Sequence, residues 1–241
     1  MEDKIHWVKI NVHWFVLLVF LLLFLGLTWC HFYLDSALYP RLSSFIGGLA
    51  AAFFVAFVQF GLQIIDQIKL SKFRKHGVLD FLEDRSDREF YRKLIKSAKS
   101  GSTLQVLGVT SNRMLSDFAN YEEPRCQDLI RAMENDVSVQ ILIPKCAHLN
   151  DSQLSDFKTK TLKIAAVLKE KHQKNFNIRY FDSSPSHSMF ACGGTCVIGP
   201  IFEDKSSKDT PAIVFDRNGS FVEPYNKNFR RLWDASDEIY E

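Results

Sequence analysis

Two apolar runs near the N-terminus constrain this chain more than any other feature. Trp14 to Tyr33 is a stretch of twenty residues without one formal charge, and a second apolar run, Leu42 to Ile65, follows eight residues later. At about 1.5 Å per residue, each is long enough to cross roughly 30 Å of hydrocarbon as a helix. A secretory signal is the competing reading of the first run. Such a signal carries an apolar stretch of about 7–15 residues and a small-residue cleavage site; this run is longer, and no such site precedes Asp35. The expectation is a transmembrane helical hairpin with a basic stalk over residues 1–76, carrying a separate domain over residues 77–241.

Basic residues set the expected orientation. Lys4 and Lys9 precede the first run, and Lys69, Lys72, Arg74 and Lys75 follow the second. The loop Asp35 to Arg41 between them offers only Arg41. The positive-inside bias places both termini and the domain in the cytoplasm, as a multi-pass protein of a cell inner membrane. Trp7, Trp14, Trp29, Tyr33 and Tyr39 stand where interfacial aromatic belts form. In the second run Gln59, Gln63 and Asp66 share one helical face, and Gly48, Ala52 and Ala56 recur at every fourth residue. Two readings stay open: the small residues pack the hairpin internally while the helix end reaches the headgroups, or the polar face lines an oligomeric assembly that perturbs the bilayer.

In a reducing cytosol Cys126, Cys146, Cys192 and Cys196 are expected to be free thiols. Cys192 and Cys196 flank Gly193-Gly194, but no second Cys or His pair stands at zinc-finger spacing. No metal and no cofactor are expected. From Gly77 onward there are 23 Lys and Arg against 24 Asp and Glu. That balance argues against duplex nucleic acid as a partner and leaves room for a small anionic ligand.

The domain alternates helix and strand signals: helix over Asp87 to Lys99, strand over Leu104 to Val109, helix over Arg125 to Asn135, strand over Val137 to Ile143, helix over Asp151 to Lys171, and strand over Phe176 to Phe181. Shorter strands at Ser188 to Ala191, Thr195 to Ile198 and Ala212 to Phe215 precede a closing helix, Tyr225 to Tyr240. The expected fold class is a membrane α-helical hairpin plus an α/β domain, with a mixed, mainly parallel sheet flanked by helices.

This order, together with the segment His187-Ser188-Met189-Phe190-Ala191-Cys192-Gly193-Gly194-Thr195-Cys196-Val197-Ile198-Gly199-Pro200, resembles one half of the phospholipase D-like fold. The resemblance implies that His187 stands at that family's motif histidine and Gly199 at its trailing glycine. Met189 holds the lysine position, glycine near Gly193 or Gly194 the aspartate position, and Pro200 the serine position. A phosphoryl transition state needs cationic stabilisation that a thioether does not supply. The resemblance therefore supports the fold and implies that the domain is not an enzyme.

A ligand is then expected in the crevice at the carboxyl ends of the parallel strands. Thr110, Ser111, Asn112 and Arg113 follow the first strand, Lys145 follows the second, and His187 and Ser188 stand at the degenerate motif. These seven are the candidate ligand-binding residues, with no catalytic residue among them. A two-helix hairpin joined to an inactive phospholipase D-like domain resembles the two-transmembrane effectors of bacterial antiviral systems. That resemblance implies a nucleotide second messenger, a cyclic one included, as the partner, together with the lipid bilayer and self-association that disrupts the membrane. The alternatives are a membrane-anchored dimeric phosphodiesterase or nuclease using His187, and a scaffold that binds another protein.

Overall fold

A computed structural model of the chain describes residues 2–33, 39–202 and 205–238. The side chains of Lys4, Trp7 and Lys9, most of the loop Asp35 to Arg41 and the end of the expected helix Tyr225 to Tyr240 lie outside the described residues. The chain divides into two compact units, Met1–Lys72 and Phe73–Glu241.

In the first unit, helix α1 (Glu2–Tyr33) packs antiparallel to α2 (Pro40–Lys75), whose last residues belong to the second unit. The seam follows a seven-residue repeat on α2, through Ser43, Gly47, Ala50, Phe54, Gly61 and Ile64. His31 Nδ1 lies 3.1 Å from the Ser43 carbonyl, a Cβ added at Gly47 would lie 3.3 Å from the His31 ring, and Phe24 meets Phe54 at 5.3 Å between centroids. Both helices are long and apolar enough to cross a membrane, and none of the Trp14–Tyr33 window is buried. Gly48 has no neighbour within 4 Å of an added Cβ, and Gly48 and Ala52 are exposed. The Gly48 and Ala52 stripe therefore does not pack the hairpin internally, because the helical period turns it away from the α1 seam. Gln59, Gln63 and Asp66 are exposed as well.

The second unit begins with the last turn of α2. Gly77 takes φ +87°, a left-handed conformation that suits glycine at a helix C-terminus, and its position against the Gly219 backbone leaves no room for a Cβ. Strand β1 (Val78–Leu82) follows, then α3 (Arg88–Lys96), capped by the Asp87 carboxylate accepting from Phe90 N at 3.0 Å. Next come β2 (Thr103–Leu107), α4 (Asn112–Phe118), α5 (Asp128–Glu134) and β3 (Ser138–Pro144). Helix α6 (Asp151–Asp156), a π-helical turn (Phe157–Thr161) and α7 (Leu162–Lys171) form one continuous rod leading to β4 (Phe176–Phe181). Strands β5 (His187–Cys192), β6 (Thr195–Pro200) and β7 (Ala212–Asp216) precede α8 (Glu223–Asp234). Strand β1 and helix α4 were not anticipated from the sequence: each is short, and neither carries a periodic apolar pattern.

The seven strands form one sheet in the order β1-β7-β6-β5-β2-β3-β4. Only β2–β3 and β3–β4 pair in parallel; the other four neighbours are antiparallel. The expectation of a mainly parallel sheet is corrected accordingly. Helical crossovers after β2 and β3 allow parallel return, whereas the short link from β4 to β5, at the carboxyl ends of β2–β4, and the Gly193-Gly194 turn, at the opposite end, each reverse the chain.

Strand alternation sorts the core onto two faces. Val139, Ile141 and Ile143 join Ile95, Leu129 and Leu168 on the face covered by α3–α7. Leu142, Met189 and Phe215 join Phe229 on the face covered by α8. Cys192 belongs to the first cluster and Cys196 to the second, so these two thiols stand on opposite faces of the sheet. Burial pushes them up to about 11 and about 12.

Candidate functional site

A cavity of about 550 Å³ opens on the α3–α7 face, where the carboxyl end of β2 meets β5. Its floor is the turn Gly108–Ser111. Ser111 adopts φ 50°, and its Oγ is buried without a hydrogen-bond partner. Asn112 N donates to Thr110 Oγ1 at 3.4 Å, and the Thr110 carbonyl accepts from Thr161 Oγ1 at 2.9 Å. That second bond comes from the π-helical turn, where the widened helix rotates Thr161 towards the β2 loop. Such turns interrupt α-helices at functional sites often enough to mark one.

Five of the seven sequence-predicted residues line this cavity: Thr110, Ser111, Asn112, Arg113 and Ser188. Arg113 is not a free cation. Its Nη1 and Nη2 donate to the carbonyls of Arg85 and Ser86 at 2.7 Å each, and its Nε to Asp117 Oδ2 at 3.3 Å. Lys145 does not line the cavity and is ion-paired with Asp237 at 2.7 Å. His187 is excluded by geometry. Adjacent strand residues project to opposite faces, so when Ser188 faces the cavity, His187 and Met189 face α8. The His187 ring meets Tyr225 edge-on at 4.9 Å, and Met189 is 1% exposed within the α8-side cluster. The expected joint site for Lys145, His187 and Ser188 is corrected on these grounds.

Arg85, absent from the sequence-based set, is the main cation of the cavity wall. It is 7% exposed. It donates to Ser188 Oγ, to Thr210 Oγ1 and, at 3.1 Å, to the Pro200 carbonyl, while its Nε has no partner. Among the described residues no carboxylate pairs with it. Burial lowers its pKa, and the neighbouring Arg113 lowers it further. Nothing in Asp84-Arg85-Ser86-Asp87 distinguishes this arginine from a solvated loop residue. The available signal was the motif glycine: Gly199 packs against Arg85, and a Cβ there would lie 3.2 Å from Cζ.

Burial holds the His187 imidazole below its ordinary value of 6.5. The folded state therefore keeps it neutral where the unfolded chain takes up a proton. Its contribution to stability is full above the unfolded pKa and is lost as pH falls through that value towards the folded one. The expected result is a melting temperature that drops between about pH 7 and about pH 5, with a shallower drop in His187→Gln. Identical slopes in the two proteins would show that another group titrates.

No family model matches the chain, and no curated protein matches it. Solved structures similar to it include TrmBL2, an archaeal chromatin protein whose structure shows a novel mode of DNA binding. The two share 12% identity with a TM-score of 0.45, over 80% of this chain and 70% of that one. Another is Nuc, a phospholipase D family member from Salmonella typhimurium, at 14% identity and TM-score 0.40, over 67% of this chain and 95% of that one. The first of these is a DNA-binding protein, and the expectation that duplex nucleic acid is no partner of this chain is withdrawn. Formal charge summed over a domain does not fix the local field that a polyanion meets. The sequence-based assignment of a nucleotide partner is not carried forward.

Proposed function

We propose that the chain is a two-span membrane protein whose α/β domain binds a small ligand without hydrolysing it, occupancy of the cavity being the signal passed to the hairpin. The observation that carries this reading is the split of the degenerate motif across the sheet. Ser188 faces the cavity, whereas the His187 ring and the buried Met189 side chain pack on the α8 side, Met189 also bordering the cavity without supplying a cation to it. The cavity thus has hydroxyls and a buried cation for binding but lacks the His-Lys pair that phosphodiester cleavage needs. Unburied apolar helices and the basic residues in the last turns of α2 support membrane insertion with both termini on the cytoplasmic side. An effector role in bacterial defence, which the two-span architecture implies, belongs to the same proposal.

The test is turnover. Purified full-length protein is expected to leave bis(p-nitrophenyl) phosphate and phosphatidylcholine vesicles unhydrolysed, with or without His187. Metal-independent hydrolysis that His187→Ala abolishes would overturn this reading in favour of a phosphodiesterase, for which the unpartnered His187 Nε2 would be the nucleophile.

A further inference from the structure

Resting on the cavity being the ligand site, we propose that its ligand is a phosphate ester whose oxyanion is held by Arg85, either on a soluble molecule or on a phospholipid headgroup. A guanidinium taken out of water with no counter-charge is costly, and its fixed fork of donors suits phosphate oxygens. Arg85 is in that state: it is more than nine-tenths buried, its polar contacts are neutral oxygens, and its Nε is unpartnered.

The surroundings hold it there. Arg113 clamps the carbonyls of Arg85 and Ser86, the Arg85 amide donates to the Lys208 carbonyl at 2.8 Å, and Gly199 leaves space beside the guanidinium. Among the described residues the carboxylates of the cavity wall are already neutralised, Asp117 by Arg113 at 3.3 Å and Asp156 by Lys160 at 2.8 Å. Among the described residues the buried positive charge left for a ligand is therefore that of Arg85. Ser111 Oγ, buried and unpartnered in the floor of the same cavity, is the hydroxyl donor to go with it. Two oxygens of a phosphate group would meet Arg85 and Ser111, and the remainder of the ligand would occupy the rest of the 550 Å³.

The full-length protein in a neutral detergent is titrated with glycerol 3-phosphate against sodium chloride of equal ionic strength, following the melting temperature and analysing the probe afterwards. A second arm compares nanodiscs of phosphatidylglycerol with nanodiscs of phosphatidylcholine. The expected result is a saturable rise in melting temperature that Arg85→Gln abolishes and Lys171→Gln, outside the cavity, leaves intact. A rise in the soluble arm identifies a free phosphate ester; a rise confined to phosphatidylglycerol identifies the headgroup. Should Arg85→Gln fail to fold, Ser111→Ala is the second variant, expected to move the midpoint concentration at least threefold. An undiminished rise in Arg85→Gln, an unmoved midpoint in Ser111→Ala, or no rise in either arm overturns the anion site and leaves the non-hydrolytic reading standing. Cleavage of glycerol 3-phosphate with Arg85 dependence intact would overturn that reading and leave the anion site.

Discussion

Gly199→Ala will destabilise the α/β domain by about 1–3 kcal/mol, the usual cost of forcing a methyl group into filled space. The added Cβ would stand 2.7 Å from the Pro211 carbonyl oxygen, 3.2 Å from the Ala212 Cβ and 3.2 Å from Arg85 Cζ. Two of these neighbours belong to the backbone or its first carbon at the start of β7 and cannot swing aside, and the third is a buried guanidinium hydrogen-bonded to three oxygens. Because β6 pairs with both β5 and β7, displacement at Gly199 disturbs two strand pairings as well as the cavity wall. Chemical denaturation of the full-length protein is the measurement. Gly101→Ala, at a glycine with no neighbour within 4 Å but φ +75°, separates the two effects, since it carries backbone strain without a clash. An unchanged midpoint in Gly199→Ala would show that the chain does not approach that residue as described.

Leu22→Arg will prevent α1 from inserting. Arginine near the centre of a membrane helix costs about 2.5–3.5 kcal/mol on insertion scales, close to a hundredfold shift in the inserted fraction. Leu22 is central in the Trp14–Tyr33 window and 58% exposed. On the surface of a soluble protein the same change would cost almost nothing, since exposed substitutions stay within about 0.5 kcal/mol. The readout follows from the second helix, which still inserts: the N-terminus is left on the opposite side of the membrane from the domain. A cysteine placed near the N-terminus should then react with an impermeant maleimide from the non-cytoplasmic side, and only in Leu22→Arg. Equal labelling of both proteins would argue that α1 does not span.

Much of the domain was legible because strand and helix periods leave their mark on neighbouring residues. Phe176–Phe181 was delimited correctly, since an apolar run bounded by polar turns is a local property. Strand direction was not legible. Nothing in His187–Cys192 says whether it lies parallel or antiparallel beside β2; that depends on where the link from β4 re-enters the sheet. The candidate site divides along the same line. Thr110 to Arg113 follow a strand directly and were found by position, whereas Arg85 reaches Ser188 across 103 residues of sequence, and no local pattern encodes such a contact.

By itself, then, the sequence determined that two helices have the length and apolarity to span a membrane, that a mixed α/β domain follows them, and that Met189, not a lysine, stands two residues after His187. These are properties of consecutive residues and of their periods. The tertiary structure alone decided which face of β5 meets the cavity, that Arg113 braces the backbone, that Lys145 is paired with Asp237, and that Arg85 is the buried cation. Each of these turns on strand order and alternation, which bring distant residues together or set adjacent ones on opposite sides of the sheet.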